Sequence, residues 1–263
     1  MLLAIDIGNS NVTLGVFREE NLLATWRLAT DTRKLPDEYA LLIQSLLPLK
    51  GVAPKDIDSI ALCSVVPPLT QVFGELAKEH FGVTALRFGA GTRTGVRVLY
   101  DYPRDVGSDR VVDAAAAFSM YGGPVIVVDF GTATVFDAVS RDGEYLGGAI
   151  ASGITLTAEA LFERTSQLRR VELVPPKSAI GRNTASSIQS GILFGHVGMV
   201  EYMVRRFKLE LGGDTKVVGT GGMASLIEKE TDVFDAVNPD LTLIGLRLIN
   251  DINADSRSDQ TGG

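Results

Sequence analysis

Two stretches of this chain share one pattern and decide its fold: residues 127–135 read VVDFGTATV, and residues 4–12 read AIDIGNSNV. In each, an apolar strand ends in aspartate and runs into a turn that contains glycine. The stretches align with Asp129 on Asp6 and Gly131 on Gly8. Another predicted strand follows in both places, at 22–28 and 144–150, so the pattern favours an internal duplication over a coincidence of short motifs.

Predicted helices and strands alternate outside the repeat. The first half has predicted helices at 36–47 and 69–80 and strands at 59–66 and 83–88. The second half has predicted helices at 154–166, 187–208 and 241–252 and a strand at 216–219. This order predicts an α/β protein with an N-terminal domain at 1–118, a C-terminal domain at 119–253 and a polar, disordered tail at 254–263.

Composition limits the classes of function. The 263 residues are 45% hydrophobic and 22% charged, which predicts a globular chain, and the net charge of -7 disfavours nucleic acid or an anionic membrane as the main partner. Cys63 is the only cysteine, so an intrachain disulfide is excluded and a reducing compartment is expected. Asp6 interrupts the first apolar run, and no stretch approaches the roughly 20 apolar residues that span a bilayer. We therefore expect a cytoplasmic protein.

The two repeated turns have the chemistry of phosphate-binding loops. Glycine lets backbone N–H groups approach phosphate oxygens, while an adjacent carboxylate can hold a cation. Asp6 with residues 8–11 and Asp129 with residues 131–134 could clamp the two ends of a triphosphate, which suits phosphoryl transfer. Alternatively, each aspartate only caps a tight hairpin.

A third glycine cluster, GTGG at residues 219–222, follows a predicted strand and precedes a short helix. We interpret it as a surface on which an adenosine could lie, with a plain loop as the alternative. The sequence contains no Walker A motif, which excludes a P-loop kinase.

Taken in order, five motifs resemble those of type III pantothenate kinases: DIGNS at 6–10, SVVP at 64–67, VGSDR at 106–110, DFGTAT at 129–134 and GTGG at 219–222. The resemblance covers residues 1–253. It implies two ribonuclease H-like domains of the actin-like (ASKHA) superfamily, related by internal duplication, each with a mixed five-stranded sheet flanked by helices. It also implies a homodimer that transfers the γ-phosphate of ATP to the hydroxyl of pantothenate, the first step towards coenzyme A.

The same resemblance implies roles for individual residues. Asp129 corresponds to the ligand of a monovalent cation, K⁺ or NH₄⁺, and Mg²⁺ accompanies the ATP. The ATP-binding residues would be Asp6, Ile7, Gly8, Asn9, Ser10, Asn11, Val12, Thr13 and Thr132. The substrate-binding residues would be Tyr100, Gly107, Ser108, Asp109, Arg110 and Thr184. Asp109 stands in the place of the proton acceptor, and Ser108 stands where the family motif usually has alanine.

Physical chemistry supports the roles of Asp109 and Arg110, because an alcohol must lose its proton as it attacks phosphorus and an anionic substrate needs a cation. The alternative is that Asp109 caps a helix that begins before the apolar run at 111–118. By default Tyr100 is a surface aromatic, Thr184 is a helix N-cap, and His196 belongs to the core or an interface. Cys63 is expected to be an inert, buried small side chain.

Two other functions remain open at this point. The nearer one is a kinase of the same superfamily that acts on a sugar or acetate, although sugar kinases usually have a longer chain. The second is a non-catalytic regulatory protein with the same fold. A degenerate relative would be expected to lose Asp6, Asp109 or Asp129, and this chain has all three.

Overall fold

The computed structural model describes residues 1–89, 91–212 and 214–258. The chain forms two compact units. Among the described residues, the first comprises 1–116 together with 241–258, and the second comprises Ala117–Asp240. The boundary therefore falls two residues before the predicted one at 118, and residues 241–253 belong to the first unit rather than to the predicted C-terminal domain.

The first unit is built on a mixed sheet. Its strands are β1 (Leu2–Ile7), β2 (Asn11–Arg18), β3 (Asn21–Ala29), β4 (Ser59–Ser64) and β5 (Leu86–Arg87). They lie in the order β3-β2-β1-β4-β5, with β1, β2 and β3 antiparallel and with β1, β4 and β5 parallel. The intervening and following elements are α1 (Pro36–Leu46), α2 (Pro67–Phe81), the two-residue strand β6 (Arg97–Val98) and α3 (Ser108–Tyr121), within which the unit boundary falls.

Proline and glycine set the ends of α2. The sequence predicts a strand to residue 66 and a helix from residue 69, but β4 ends at Ser64 and α2 begins at Pro67. Proline suits the first helical positions because its missing N–H has no intrahelical partner there. The helix ends at Gly82, whose φ of 70° is the left-handed conformation that glycine adopts without strain.

The second unit repeats the plan of the first. Its elements are β7 (Val125–Phe130), β8 (Ala133–Val139), β9 (Glu144–Ser152), α4 (Ile154–Glu163), α5 (Thr184–Leu211), β10 (Lys216–Thr220), the short helix α6 (Ala224–Ile227) and β11 (Ala236–Val237). These five strands lie in the order β11-β10-β7-β8-β9, which matches β5-β4-β1-β2-β3 strand for strand. The predicted pair of duplicated α/β domains is thus confirmed, although the second sheet has six strands instead of the predicted five.

Strand register corrects the ungapped sequence alignment of the two halves. That alignment placed Val12 on Val135, but Val12 pairs with Ile7 while Thr134 pairs with Phe130, so Thr134 is the structural equivalent of Val12. The second turn is one residue shorter. With this correction the irregularity in β2 after Val16 and the one in β8 after Ala138 fall at equivalent places, which supports a common origin of the two sheets.

Helices cover both faces of the first sheet. Tyr39 and Ile43 of α1 and Phe73 of α2 are fully buried against one face, with the rings of Tyr39 and Phe73 4.7 Å apart. On the other face, Val112 of α3 packs in one apolar cluster with Leu246 of the last helix, α7 (Leu241–Ser258).

Helix α7 differs from its prediction in place and in length. Its apolar side chains Leu243, Leu246 and Ile249 pack with residues of β1 and β4, which is why it belongs to the first unit. The helix continues six residues beyond the predicted end at 252, so residues 254–258 are helical rather than part of a tail. The side-chain amide of Asn253 donates to the carbonyl of Arg93 at 2.8 Å and stabilises this extension. Residues 259–263 of the predicted tail lie outside the described residues.

The core of the second unit lies between its sheet and α5. Val128 of β7, Phe136 of β8 and Val200 and Val204 of α5 are buried in one apolar cluster. Along the described ranges of the chain, none of the helices combines the length and the apolar character that a membrane span requires.

Candidate active site

The first repeated turn closes tightly between β1 and β2. The N–H of Gly8 donates to the carbonyl of Asn11 at 3.0 Å, and the Thr30 hydroxyl donates to the Gly8 carbonyl at 2.7 Å. Asn9, Ser10 and Asn11 are exposed, whereas Ile7 and Val12 are fully buried. Polar side chains at the tip of this turn can therefore meet a ligand, while Ile7 and Val12 could contribute only backbone groups.

Asp6 lies one residue before this turn and shares a sheet face with two polar neighbours. It pairs with Thr13 of β2 and with Cys63 of β4, and paired residues point to the same side of a sheet. The Cys63 thiol donates to Asp6 Oδ1 at 3.4 Å. The pKa of Asp6 is raised from 3.8 to about 7, mainly because burial disfavours the carboxylate and then because Asp109 adds like charge, while the thiol bond opposes the shift.

The VGSDR motif, residues 106–110, lies at the start of α3, in the same unit as Asp6. Asp109 Oδ1 accepts the N–H of Arg110 at 2.9 Å, and burial raises the pKa of Asp109 while its bond and charge interaction with Arg110 oppose this. A Cβ atom at Gly107 would lie 2.5 Å from Asp109 Oδ1. A larger residue at this position would therefore displace the Asp109 carboxylate from its present place.

Cys63 has more contact with the site than the sequence predicts. It is 1% exposed, as expected, but its thiol contacts Asp6, and burial followed by the charges of Asp6, Asp109 and Asp113 raises its pKa well above the usual range. The thiol is consequently neutral at physiological pH and acts as a donor. The contact between Cys63 and Asp6 follows from the parallel register of β1 and β4. In the sequence, the one signal for it is that Cys63 stands directly before the SVVP motif.

In the second unit, the other repeated turn lies between β7 and β8. The N–H of Gly131 donates to the Ala133 carbonyl at 3.0 Å, and the exposed Thr132 accepts the N–H of Gly153 at its carbonyl, at 3.2 Å. A Cβ atom at Gly153 would lie 2.3 Å from that carbonyl oxygen. Gly153, directly after β9, therefore packs against the backbone of Thr132, while the Thr132 side chain remains exposed.

The third glycine cluster lies directly beside Asp129. Gly221 follows β10, which pairs with β7 so that Thr220 is opposite Asp129. Gly221 has φ of 87°, and a Cβ atom there would lie 2.2 Å from Asp129 Oδ1. The GTGG loop is thus more than a connection, because its backbone forms one wall of the Asp129 site.

We expect Gly221→Ala to lower the free energy of unfolding by about 1–3 kcal/mol, because alanine is strained at positive φ and its methyl group would collide with Asp129. Gly222→Ala is the matched control, since a Cβ atom there would meet nothing within 4 Å. Chemical denaturation of both variants measures the difference. Equal stabilities would show that the close approach of Gly221 to Asp129 has no energetic consequence.

Tyr100 and Thr184 are the two remaining predicted substrate contacts. Tyr100 is half-buried in the segment between β6 and α3. Thr184 is the exposed first residue of α5, and the N-cap is Asn183, whose side chain accepts the N–H of Ser186 at 2.9 Å. The default interpretation of Thr184 as the cap is wrong by one residue, and its hydroxyl lies on the surface.

The two histidines have structural contacts. His196 is buried on α5, as predicted for a core residue, and its Nε2 lies 2.9 Å from Thr134 Oγ1. Nε2 of His80, at the end of α2, lies 2.8 Å from Oδ1 of Asp37, at the start of α1.

Comparison with known proteins assigns the family. The sequence model of the type III pantothenate kinases matches residues 2–206. A type III pantothenate kinase of Dehalococcoides mccartyi is 50% identical over 252 residues, which cover 96% of this chain and 98% of that relative. The chain belongs to the type III pantothenate kinase family.

Solved structures agree on the fold. A Campylobacter jejuni protein that was assigned to a Baf family of transcriptional activators gives a TM-score of 0.60 at 20% identity, covering 96% of this chain and 99% of its own. An inorganic polyphosphate/ATP-glucomannokinase of Arthrobacter gives 0.51 at 12% identity, covering 96% and 98%. At these identities the similarity shows the fold alone, so neither a regulatory function nor a sugar acceptor follows from it.

Proposed function

We propose that this protein transfers the γ-phosphate of ATP to the hydroxyl of pantothenate and forms 4'-phosphopantothenate, the first step of coenzyme A biosynthesis. Membership of the type III pantothenate kinase family over nearly the full chain is the observation that carries this proposal. The site chemistry supports it, because Asp109 and Asp6 lie in one unit with interacting charges and Asp129 and Thr132 lie at the equivalent turn of the other.

Asp109 is the proposed general base. The pantothenate hydroxyl oxygen forms a bond to the γ-phosphorus while the bond from that phosphorus to the bridging oxygen breaks, and ADP leaves with the electron pair. Asp109 Oδ accepts the hydroxyl proton. Its raised pKa suits this step, because a carboxylate with an ordinary, low pKa is a weak base and a poor proton acceptor. Arg110 is the proposed partner of the anionic substrate.

The proposed ATP-binding residues come from each of the two repeated turns. Asp6 to Thr13 would supply backbone N–H groups and the exposed polar side chains of residues 9–11, and Thr132 would supply a hydroxyl. The glycine cluster at 219–222 is the proposed surface for the adenosine. Mg²⁺ bound to the phosphates would neutralise charge that develops during transfer.

The neighbourhood of Asp129 fits a monovalent cation. Its carboxylate oxygens are hard ligands, and Gly221, which has no side chain, lets the loop backbone approach Oδ1 closely. We propose that Asp129 holds K⁺ or NH₄⁺, which would add positive charge near the transferred phosphate.

We further propose a cytoplasmic homodimer. On α5, Cβ atoms added at Gly191, Gly195 or Gly198 would meet nothing within 4 Å, so this helix has a face on which a second copy could pack closely. Thr184, exposed at the start of the same helix, would then reach substrate bound mainly by the partner copy. Tyr100 is the proposed additional contact with pantothenate.

The first experiment measures formation of phosphorylated product from ATP with pantothenate, glucose or acetate as acceptor. We expect turnover with pantothenate alone, dependent on Mg²⁺ and increased by K⁺ or NH₄⁺ relative to Na⁺. Turnover with a sugar or acetate instead would establish a different kinase of the superfamily. No turnover with any acceptor or cation would overturn the proposed activity and favour a regulatory role.

A further inference from the structure

Ser108 is the residue at which this chain departs from the usual substrate motif, and its hydroxyl is bonded to the first sheet. The N–H of Ser64 donates to Ser108 Oγ at 3.0 Å, and the Ser108 hydroxyl donates to the Ser64 carbonyl, also at 3.0 Å. These bonds use the one donor and one of the two lone pairs of the hydroxyl. A two-way contact of this kind fixes the side chain and leaves it little capacity to bind substrate.

Ser64 is itself held firmly. It is the last residue of β4, where it pairs with Ile7 of β1, and the next N–H, that of Val65, donates to the Ile7 carbonyl at 3.1 Å. Its own hydroxyl donates to the carbonyl of Val66 and accepts the Val66 N–H, both at 3.1 Å. The backbone to which Ser108 is attached is therefore a rigid continuation of the sheet.

Asp6 lies next to this attachment point, on the same pair of strands, β1 and β4. Asp6 precedes Ile7 in β1, and its partner in β4 is Cys63, which precedes Ser64. On the side of α3, Ser108 is followed directly by Asp109, whose carboxylate folds back over Gly107 and accepts the N–H of Arg110. The orientation of Asp109 is thus set by its own backbone, and the bonds between Ser108 and Ser64 join that backbone to the strands beside Asp6.

We propose that Ser108 is a positioning residue that holds the start of α3, and with it Asp109, at a fixed place relative to the ends of β1 and β4. This inference rests on the proposed function, in which Asp109 accepts the proton. It assigns Ser108 a role through Asp109 rather than the direct substrate contact that the motif implies.

Kinetics provide the first test. Ser108→Ala removes one oxygen atom and restores the residue that is usual in the motif, so we expect it to fold. We expect kcat with pantothenate to fall about 3- to 10-fold, the effect of about one net hydrogen bond, with KM for ATP changed less than about twofold. Ser108→Thr keeps the hydroxyl and should retain most of the parent kcat.

In an Asp109→Asn background, Ser108→Ala should change kcat less than about twofold, because its effect passes through Asp109. The same loss in both backgrounds would overturn the positioning role.

Amide hydrogen exchange tests the inference without turnover. In Ser108→Ala we expect faster exchange at Ser64 and also at Val111 and Val112 in the first turns of α3, with Leu62 inside β4 unchanged and with parent-like rates in Ser108→Thr. Faster exchange at Ser64 alone would show that the bond does not hold the motif, and would overturn the proposal. If the parent fails to phosphorylate pantothenate, the proposed function fails, while this exchange pattern still decides whether Ser108 fixes α3.

Discussion

Replacing Asp109 with asparagine is expected to lower kcat for pantothenate by about 10²–10⁴-fold, the usual contribution of a positioned general base. Asparagine keeps the shape of the side chain and an oxygen that can accept the Arg110 N–H, but it cannot take the hydroxyl proton. We therefore expect KM values to change much less than kcat. Steady-state measurement of product with saturating ATP and Mg²⁺ gives both quantities.

Asp105→Asn is the matched control for this variant. Asp105 lies four residues earlier in the same segment and is exposed, so the same chemical change should leave kcat within about twofold of the parent. Thermal unfolding of both variants establishes that they are folded. If Asp109→Asn retains parent turnover, the protein remains a kinase but its proton acceptor is another group.

Replacing Asp6 with asparagine is expected to stabilise the protein at pH 8 by about 2–4 kcal/mol while abolishing most of its activity. Each unit by which a pKa is raised in the folded state corresponds to about 1.4 kcal/mol. The pKa of Asp6 is about 7 when folded against 3.8 ordinarily, because burial and then Asp109 disfavour its charged form. Its contribution to stability is therefore fully present below about pH 4 and is lost as the pH rises through about 7. Asparagine has no charge to bury, so it avoids this loss.

Chemical denaturation between pH 4 and 8 measures the difference in unfolding free energy between Asp6→Asn and the parent, and so checks its direction. The advantage of Asp6→Asn should be near zero at pH 4 and should grow towards pH 8, while Asp105→Asn should follow the parent throughout. A variant whose stability advantage does not change with pH would contradict the raised pKa. The opposing effects on stability and activity are expected where a buried charge serves function.

Much of the fold was predictable from local pattern. The first three strands, the α1 and α5 helices and the repeat of strand, aspartate and glycine turn follow from apolar spacing and turn residues, which act over a few positions. The candidate site residues Asp6, Asp109 and Asp129 could be selected from the sequence for the same reason, because each belongs to a short motif. The turn lengths were not, because an alignment without gaps cannot reveal that Thr134 rather than Val135 occupies the place of Val12.

The sequence by itself determined the duplicated α/β plan, membership in a kinase family and the residues of the two turns for which phosphate binding is proposed. Only the tertiary structure decided that α7 packs on the first sheet, that Cys63 donates to Asp6 and that Ser108 is bonded to Ser64. The physical reason is distance along the chain. These contacts join residues between 44 and about 240 positions apart, and they form only when parallel strands have paired and apolar faces have been buried together.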